Sequence, residues 1–208
     1  ESEEIIKKII SENFPNHSIV AEESGLTKNS HSYTWYVDPV DGTRNFAKGI
    51  GLFAVSIALA DDAELLLGVV YNPATKSLYY GEKGKGAYLN GKKISVSKNE
   101  LGRSMMAVNR GKTGPDEKLF RELLYTLPKN VIPSIRDFGC TALDISFVAQ
   151  GALEACITLG LKPYDFGAAA LLLKEAGGTI TTLEGHSWQF PDNHFIASNG
   201  IFHDLLIQ

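Results

Sequence analysis

Asp38 and Asp41 stand three residues apart in "WYVDPVDGTRNF", at the end of an apolar run that begins at Trp35. Two carboxylates held close repel unless something positive lies between them. Oxygen donors of this kind suit a hard divalent cation. Pro39 fixes φ and has no N–H, so it is expected to end the strand ladder. Gly42 permits an unusual backbone angle or a close approach, and Thr43 is expected to cap a short helix. Backbone N–H groups at a helix start attract anions. A cation site beside an anion site reads as a place for phosphate. An isolated D-P-x-D-G is more often a plain turn, since Asp, Pro and Gly are turn residues. Two further acidic positions weigh against that reading. Glu22-Glu23-Ser24 ends a predicted strand, and Asp165 follows Pro163-Tyr164 at the start of a small-residue helix. Together Glu22, Asp38, Asp41 and Asp165 supply enough carboxylates for more than one ion.

Other catalytic patterns fail. The chain has no G-x-S-x-G, H-E-x-x-H or Walker loop, and its histidines lack paired-ligand spacing. Phosphatases that form an aspartyl-phosphate use D-x-D-G-T. Here the spacing is one residue longer, which on a strand turns the second acid to the other face.

The elements that must hold these acids can be read from periodicity. Ile5, Ile6, Ile9 and Ile10 recur at helical spacing, and the helix is expected to end near Phe14-Pro15-Asn16. A short strand, "SIV", leads into Ala21-Glu22, and a polar loop is expected over Gly25–Ser32. From Leu52 to Ser97 the pattern is an antiparallel meander, with turns at Asp61-Asp62 and Asn90-Gly91. The second half alternates. "SMMAVNR", "PSIRDF", "EACITL", "TITTL" and "FIASN" read as strands; "DEKLFRELLYTL", "TALDISFVAQG", "DFGAAALLLKEAGG" and "GIFHDLLIQ" read as helices. That alternation predicts an α/β layer. A boundary near Asn130 divides the chain into 1–130, with the antiparallel sheet and most of the acidic motifs, and 131–208.

The 208 residues carry a net charge of -4, which offers no electrostatic footprint for nucleic acid. No apolar run approaches the roughly 20 residues needed to span a bilayer. The two cysteines, Cys140 and Cys156, form no metal cluster, and a reducing cytoplasm is expected.

D-P-V-D-G-T-R-N-F resembles the inositol monophosphatase signature D-P-[IV]-D-G-T-x-N-F, and the resemblance covers essentially the whole chain. "FPNHSIVAEES" is similar to the family's first acidic motif, usually G-E-E-S, and "PYDFGAAALLLKEAGG" to its W-D-x-A-A…E-A-G-G motif. Asn45-Phe46 favours this branch over phosphoadenosine phosphatases, which typically read G-T-K-E-F. The resemblance implies a layered αβαβα sandwich of the fructose bisphosphatase type. It also implies Mg²⁺-dependent, lithium-sensitive hydrolysis of phosphate monoesters on small metabolites, usually in a homodimer.

Carried over, the metal set is Glu22, Asp38, the Val40 carbonyl, Asp41 and Asp165, for two or three ions. Glu22, Asp38 and Val40 serve the first ion, and Asp38, Asp41 and Asp165 the second. Thr43, Asp38 and Glu22 are the implied catalytic residues, with Thr43 orienting the attacking water. Gly42 and Thr43 cradle the phosphate, and Gly139, Cys140, Thr141 and Asp165 face the rest of the substrate.

Several departures stand out. Ala21 replaces the glycine before Glu22, and Tyr164 replaces the usual Trp. The family pairs its threonine with an aspartate that would lie before Glu1, so this form is expected to lack the family's first N-terminal segment. Thr158 stands where animal-type members carry a glutamate that bonds inositol hydroxyls, so weak preference for inositol phosphate is expected. The alternatives are a fructose bisphosphatase or NADP phosphatase of the same superfamily, or a non-catalytic regulatory member.

Overall fold

The computed structural model describes residues 1–99, 104–110, 114–126, 134–201 and 203–207. The strands of the first half form one sheet. Its strands are β1 (Ser18–Ala21), β2 (Gly25–Thr27), β3 (Tyr33–Asp41), β4 (Ala54–Asp61), β5 (Glu64–Asn72), β6 (Ser77–Glu82), β7 (Gly86–Leu89) and β8 (Lys92–Lys93). They lie in the order β2-β1-β3-β4-β5-β6-β7-β8. From β3 onward neighbours are antiparallel, as the meander pattern predicts, whereas β1 runs parallel to β3. The period of two is visible in β4. Ala54, Ser56, Ala58 and Ala60 are buried, and the residues between them are partly exposed.

The second sheet joins β9 (Met105–Asn109), β10 (Ser134–Arg136), β11 (Ala155–Thr158), β12 (Thr179–Thr181) and β13 (Phe195–Ser198) in the order β10-β9-β11-β13-β12. β10, β9 and β11 are parallel, and β13 is antiparallel to both β11 and β12.

Helices fill the remaining layers. α1 (Ser2–Asn13) lays Ile10 on Ile19, Trp35 and Val37, on the outer face of the first sheet. α4 (Thr141–Ala149) and α5 (Pro163–Glu175) lie between the sheets. Gly167, Ala168, Ala169 and Ala170 let α5 approach closely, and all four are buried. A Cβ on Gly68 of β5 would come within 2.5 Å of the Ala168 carbonyl oxygen, so that contact requires glycine. α3 (Gly114–Thr126) packs Leu119, Phe120 and Leu123 against Met106, Val108 and Ile157 on the far face of the second sheet. The stack is the αβαβα arrangement expected from the sequence.

Local expectations change in three places. The stretch Gly25–Ser32 contains β2, which pairs antiparallel with β1. β3 does not stop at Pro39 but continues to Asp41. Asp38 pairs with Ser56 and Asp41 with Ala54, so one extra residue bulges out and Pro39's missing N–H falls in the bulge. The helix expected over the last nine residues is, among the described residues, a 3₁₀ turn at His203–Leu205. There Leu206 is buried while Ile201 and Leu205 are exposed, so no helical stripe faces the core. Asn130 lies outside the described residues.

Candidate active site

The bulge in β3 brings Asp38 and Asp41 within electrostatic reach of each other at the strand's end. Asp38 is buried, and its Oδ1 accepts the Val40 N–H at 2.9 Å. Asp41 is fixed from across the molecule. Its Oδ2 accepts the Ala142 N–H at 2.7 Å and the Cys140 thiol at 3.2 Å, both at the start of α4. Glu22 follows β1, and its N–H donates to the Val37 carbonyl of β3 at 3.2 Å. Asp165 sits in the first turn of α5, where its Oδ2 accepts the Lys162 N–H at 2.8 Å. Ser56 Oγ donates to the Tyr164 carbonyl at 3.1 Å and ties that turn to β4.

These acids strain against one another. Burial, then Asp41, Glu22 and Asp165, push the Asp38 carboxyl far above the usual range. Asp41 is pushed up to about 7, by burial first, with the Ala142 N–H opposing and Asp165 adding to the rise. The Tyr164 hydroxyl rises to about 12 through burial and then Asp165, Glu22 and Asp38. Among the described residues no three His, Cys, Asp or Glu side chains converge on a point that would hold an ion. Three of the acids instead each turn one oxygen onto a backbone N–H. The donor set is nonetheless all oxygen, anionic and mutually repelling, which fits a hard divalent cation and no softer metal.

Gly42 has φ +84°, and a Cβ there would meet the Leu52 carbonyl oxygen at 2.8 Å. It is the N-cap of α2 (Thr43–Ala47), so Thr43 is the first helical residue and not the cap. The Thr43 hydroxyl turns back to the Val40 carbonyl at 3.2 Å. The open first turn leaves the N–H groups of this helix start without intrahelical partners. Asn45 of α2 donates through Nδ2 to the Leu52 carbonyl at 2.8 Å and the Phe138 carbonyl at 2.7 Å. That bond joins the Asp-Gly-Thr turn to the segment carrying Gly139, Cys140 and Thr141. Cys140 is buried, and its thiol braces Asp41 instead of opening to a ligand. Thr158 is fully buried beside Cys156, so its hydroxyl lines no open surface.

Sequence reasoning missed two supports. Glu3 is buried, and its carboxylate accepts the N–H of Glu23 at 2.8 Å and of Ser24 at 3.1 Å, so α1 holds the first acidic motif in place. On helical periodicity Glu3 reads as a solvent-facing acid, and nothing local distinguishes it. Asp144 is buried on α4, with its carboxyl held well up by burial and then by Asp41. A lone acid inside the apolar "TALDISFVA" was the available signal.

A four-acid cluster on this layered fold defines a class, and comparison with known proteins supplies its name. The profile of the inositol monophosphatase family matches residues 1–208, and the chain belongs to that family. A protein of Aquifex aeolicus named fructose-1,6-bisphosphatase/inositol-1-monophosphatase is 37% identical, over 100% of this chain and 78% of that protein. A Pasteurella multocida protein named Nus factor SuhB is 33% identical, over 95% of this chain and 74% of that one. The structure of an inositol monophosphatase from Anabaena superposes with a TM-score of 0.89 at 34% identity, covering 98% of this chain and 82% of that one. No helix among the described residues is long and apolar enough to cross a membrane.

Proposed function

We propose that this protein is a Mg²⁺-dependent phosphate monoester hydrolase acting on small phosphorylated metabolites. The observation that carries the reading is the pairing of Asp38 and Asp41, in mutual repulsion, with a helix start whose Gly42 admits no side chain. Glu22, Asp38, Asp41, Asp165 and the Val40 carbonyl would hold two or three ions, Asp38 serving two of them. When bound, Mg²⁺ supplies Lewis acidity and water made nucleophilic near neutral pH.

The chain's own groups do the rest. The Gly42 and Thr43 N–H groups receive the phosphate oxygens. The Thr43 hydroxyl, already fixed to the Val40 carbonyl, orients the water. Asn45 keeps the leaving-group segment 139–141 against this turn. Asp165 extends the acidic wall toward the substrate. The buried Cys140 thiol is not suited to act as a covalent nucleophile, because burial and then Asp41 push it well up.

The same reading takes the protein as a cytoplasmic homodimer. Two free, buried cysteines suit a reducing compartment. The substrate range is expected to extend beyond inositol 1-phosphate to nucleotide 2′-phosphates and to sugar bisphosphates, the latter in keeping with the name of the Aquifex relative. The SuhB-named relatives favour a second reading, a regulatory protein that keeps the fold. One experiment separates the two. Phosphate release is measured over a panel of inositol, glycerol and sugar phosphates with Mg²⁺, with Mg²⁺ and Li⁺, and with EDTA. Turnover that needs Mg²⁺ and falls with Li⁺ is expected. Release unaffected by EDTA would sink the metal reading, and no release at all would leave the regulatory one.

A further inference from the structure

The carboxyl ends of β9, β10 and β11 share one edge, because the three strands are parallel and in register at Met105–Ser134 and Asn109–Thr158. Ligands of α/β layers collect at such an edge. Among the described residues, Arg136 and Arg110 leave it. Arg136 folds back, with Nη1 on Ser134 Oγ at 2.8 Å and on the Ile135 carbonyl at 3.0 Å. Arg110 reaches outward from the end of β9. Its Nε and Nη2 both donate to one oxygen, Asp137 Oδ2, at 3.1 and 2.8 Å. Its guanidinium carbon lies 5.9 Å from the centre of the Phe120 ring, which limits where the group can swing.

This pair belongs to the rim of the site just described. Asp137 precedes Gly139 by two residues, and Cys140 touches Asp41 at 3.2 Å. Three peptide steps separate Asp137 from Cys140, at most about 11 Å between Cα atoms. Arg110 is thus tied, through Asp137, to the segment that carries Cys140.

The pair is also built to exchange. Arg110 is 62% exposed and Asp137 36%, and exposed ion pairs hold weakly. Two donors on a single oxygen use the guanidinium edge without the two-oxygen match that a phosphate gives it. A guanidinium beside the site would pair with an anionic leaving group.

Resting on the phosphatase reading, we propose that Arg110 is a specificity residue. It exchanges Asp137 for a second phosphate on the leaving group and so favours bisphosphates over substrates with a neutral leaving group. The step is an exchange of ion pairs with no bond made or broken.

The test compares kcat/KM for fructose 1,6-bisphosphate and for glycerol 2-phosphate with Mg²⁺, in the wild type and in R110Q, R110K and D137N, with thermal melts alongside. R110Q is expected to lower the bisphosphate-to-monophosphate ratio by about 10–100-fold, chiefly through KM, as loss of a charged hydrogen bond does. R110K should fall between, keeping charge without the fork, and D137N should hold or raise the ratio. Arg110 is overturned as a specificity residue if R110Q leaves the ratio unchanged, or slows both substrates equally while lowering Tm. Failure of the wild type to release phosphate from either substrate would overturn the phosphatase reading itself, and this assignment with it.

Discussion

Asp38, Asp41, Gly42 and Thr43 come from one strand end and the turn after it. Arg110, Asp137 and the segment Gly139–Thr141 come from the ends of separate strands and the start of α4. The backbone of the first group is positioned by its own chain, while the Asp41 carboxylate is also braced by Cys140 and Ala142. The bulge at Pro39, the left-handed Gly42 and the Thr43-to-Val40 bond are all local. The second group is positioned by contacts that span long stretches of sequence, Asn45 to Phe138 and Asp41 to Ala142 among them. Local geometry aims Asp38, Gly42 and Thr43, and assembled geometry completes the acidic cluster and sets what surrounds it. What surrounds the cluster can therefore vary without loss of the chemistry, as a family with differently named substrates requires.

Breaking the local group should have the largest effect. Asp38→Asn removes the charge proposed to serve both ions, and kcat is expected to fall by about 10³-fold or more, the several kcal/mol that metal stabilisation supplies. Circular dichroism should stay native, since asparagine is isosteric and the mutual repulsion is relieved. Turnover within tenfold of wild type would show that Asp38 is not the shared ligand.

Gly42→Ala tests the turn itself. A side chain at φ +84° costs about 1–2 kcal/mol, and the Cβ would collide with the Leu52 carbonyl. Both lower stability and a large loss of kcat are expected. A fully active, equally stable variant would mean that the turn tolerates side chains and that its tight approach plays no part.

The difference between the two regions also explains what the sequence revealed. Asp38, Asp41 and Gly42 carry their signal within a few residues, and the β4–β5 meander and α5 follow from simple periodicity. Pro39 misleads because local chemistry says the ladder stops, while pairing with β4 carries it past through a bulge. Thr43 reads as a cap from residue type alone, but Gly42 takes that place once its backbone is left-handed. Glu3 and the Arg110–Asp137 pair were not legible, because their partners lie at |i−j| of 20 and 27 and exposed charge is the ordinary expectation for each.

Cys140 sharpens the comparison from the assembled side. Cys140→Ala removes one of the two braces on Asp41 Oδ2 and leaves the Ala142 N–H in place. Loss of a neutral hydrogen bond is worth about 0.5–1.5 kcal/mol, so kcat should fall by no more than about tenfold. Cys140→Ser, which keeps a donor, should recover most of the loss. An equal loss in both variants would show that the thiol fills space and does not position the carboxylate.

The smallest expected effect lies outside both regions, in the ring cluster under α1. His17 stacks on Phe14 at 5.0 Å and lies 4.9 Å from Tyr33, and its Nδ1 accepts the Trp35 indole N–H at 3.1 Å. Burial and then the neighbouring His31 hold His17 below the ordinary histidine value. Protonation would turn its acceptor into a donor facing the indole N–H. The unfolded chain therefore takes up the proton first, and stability declines as pH falls from about 6.5 through the folded value.

The acidic cluster acts in the opposite sense. Asp41 is raised from 3.8 to about 7 without metal, so the metal-free protein loses stability as pH rises across that window. Saturating Mg²⁺ should flatten this second slope and leave the histidine slope visible. Melts with Mg²⁺ between pH 7 and pH 5 are then expected to decline less steeply in His17→Asn, whose side-chain oxygen still accepts from Trp35, than in the wild type. His203, buried between Thr181 and Ser198 hydroxyls and held below its ordinary value by burial, with Asp204 opposing, contributes to the slope that remains. Coincident slopes for the wild type and His17→Asn would show that the ring cluster does not sense protons.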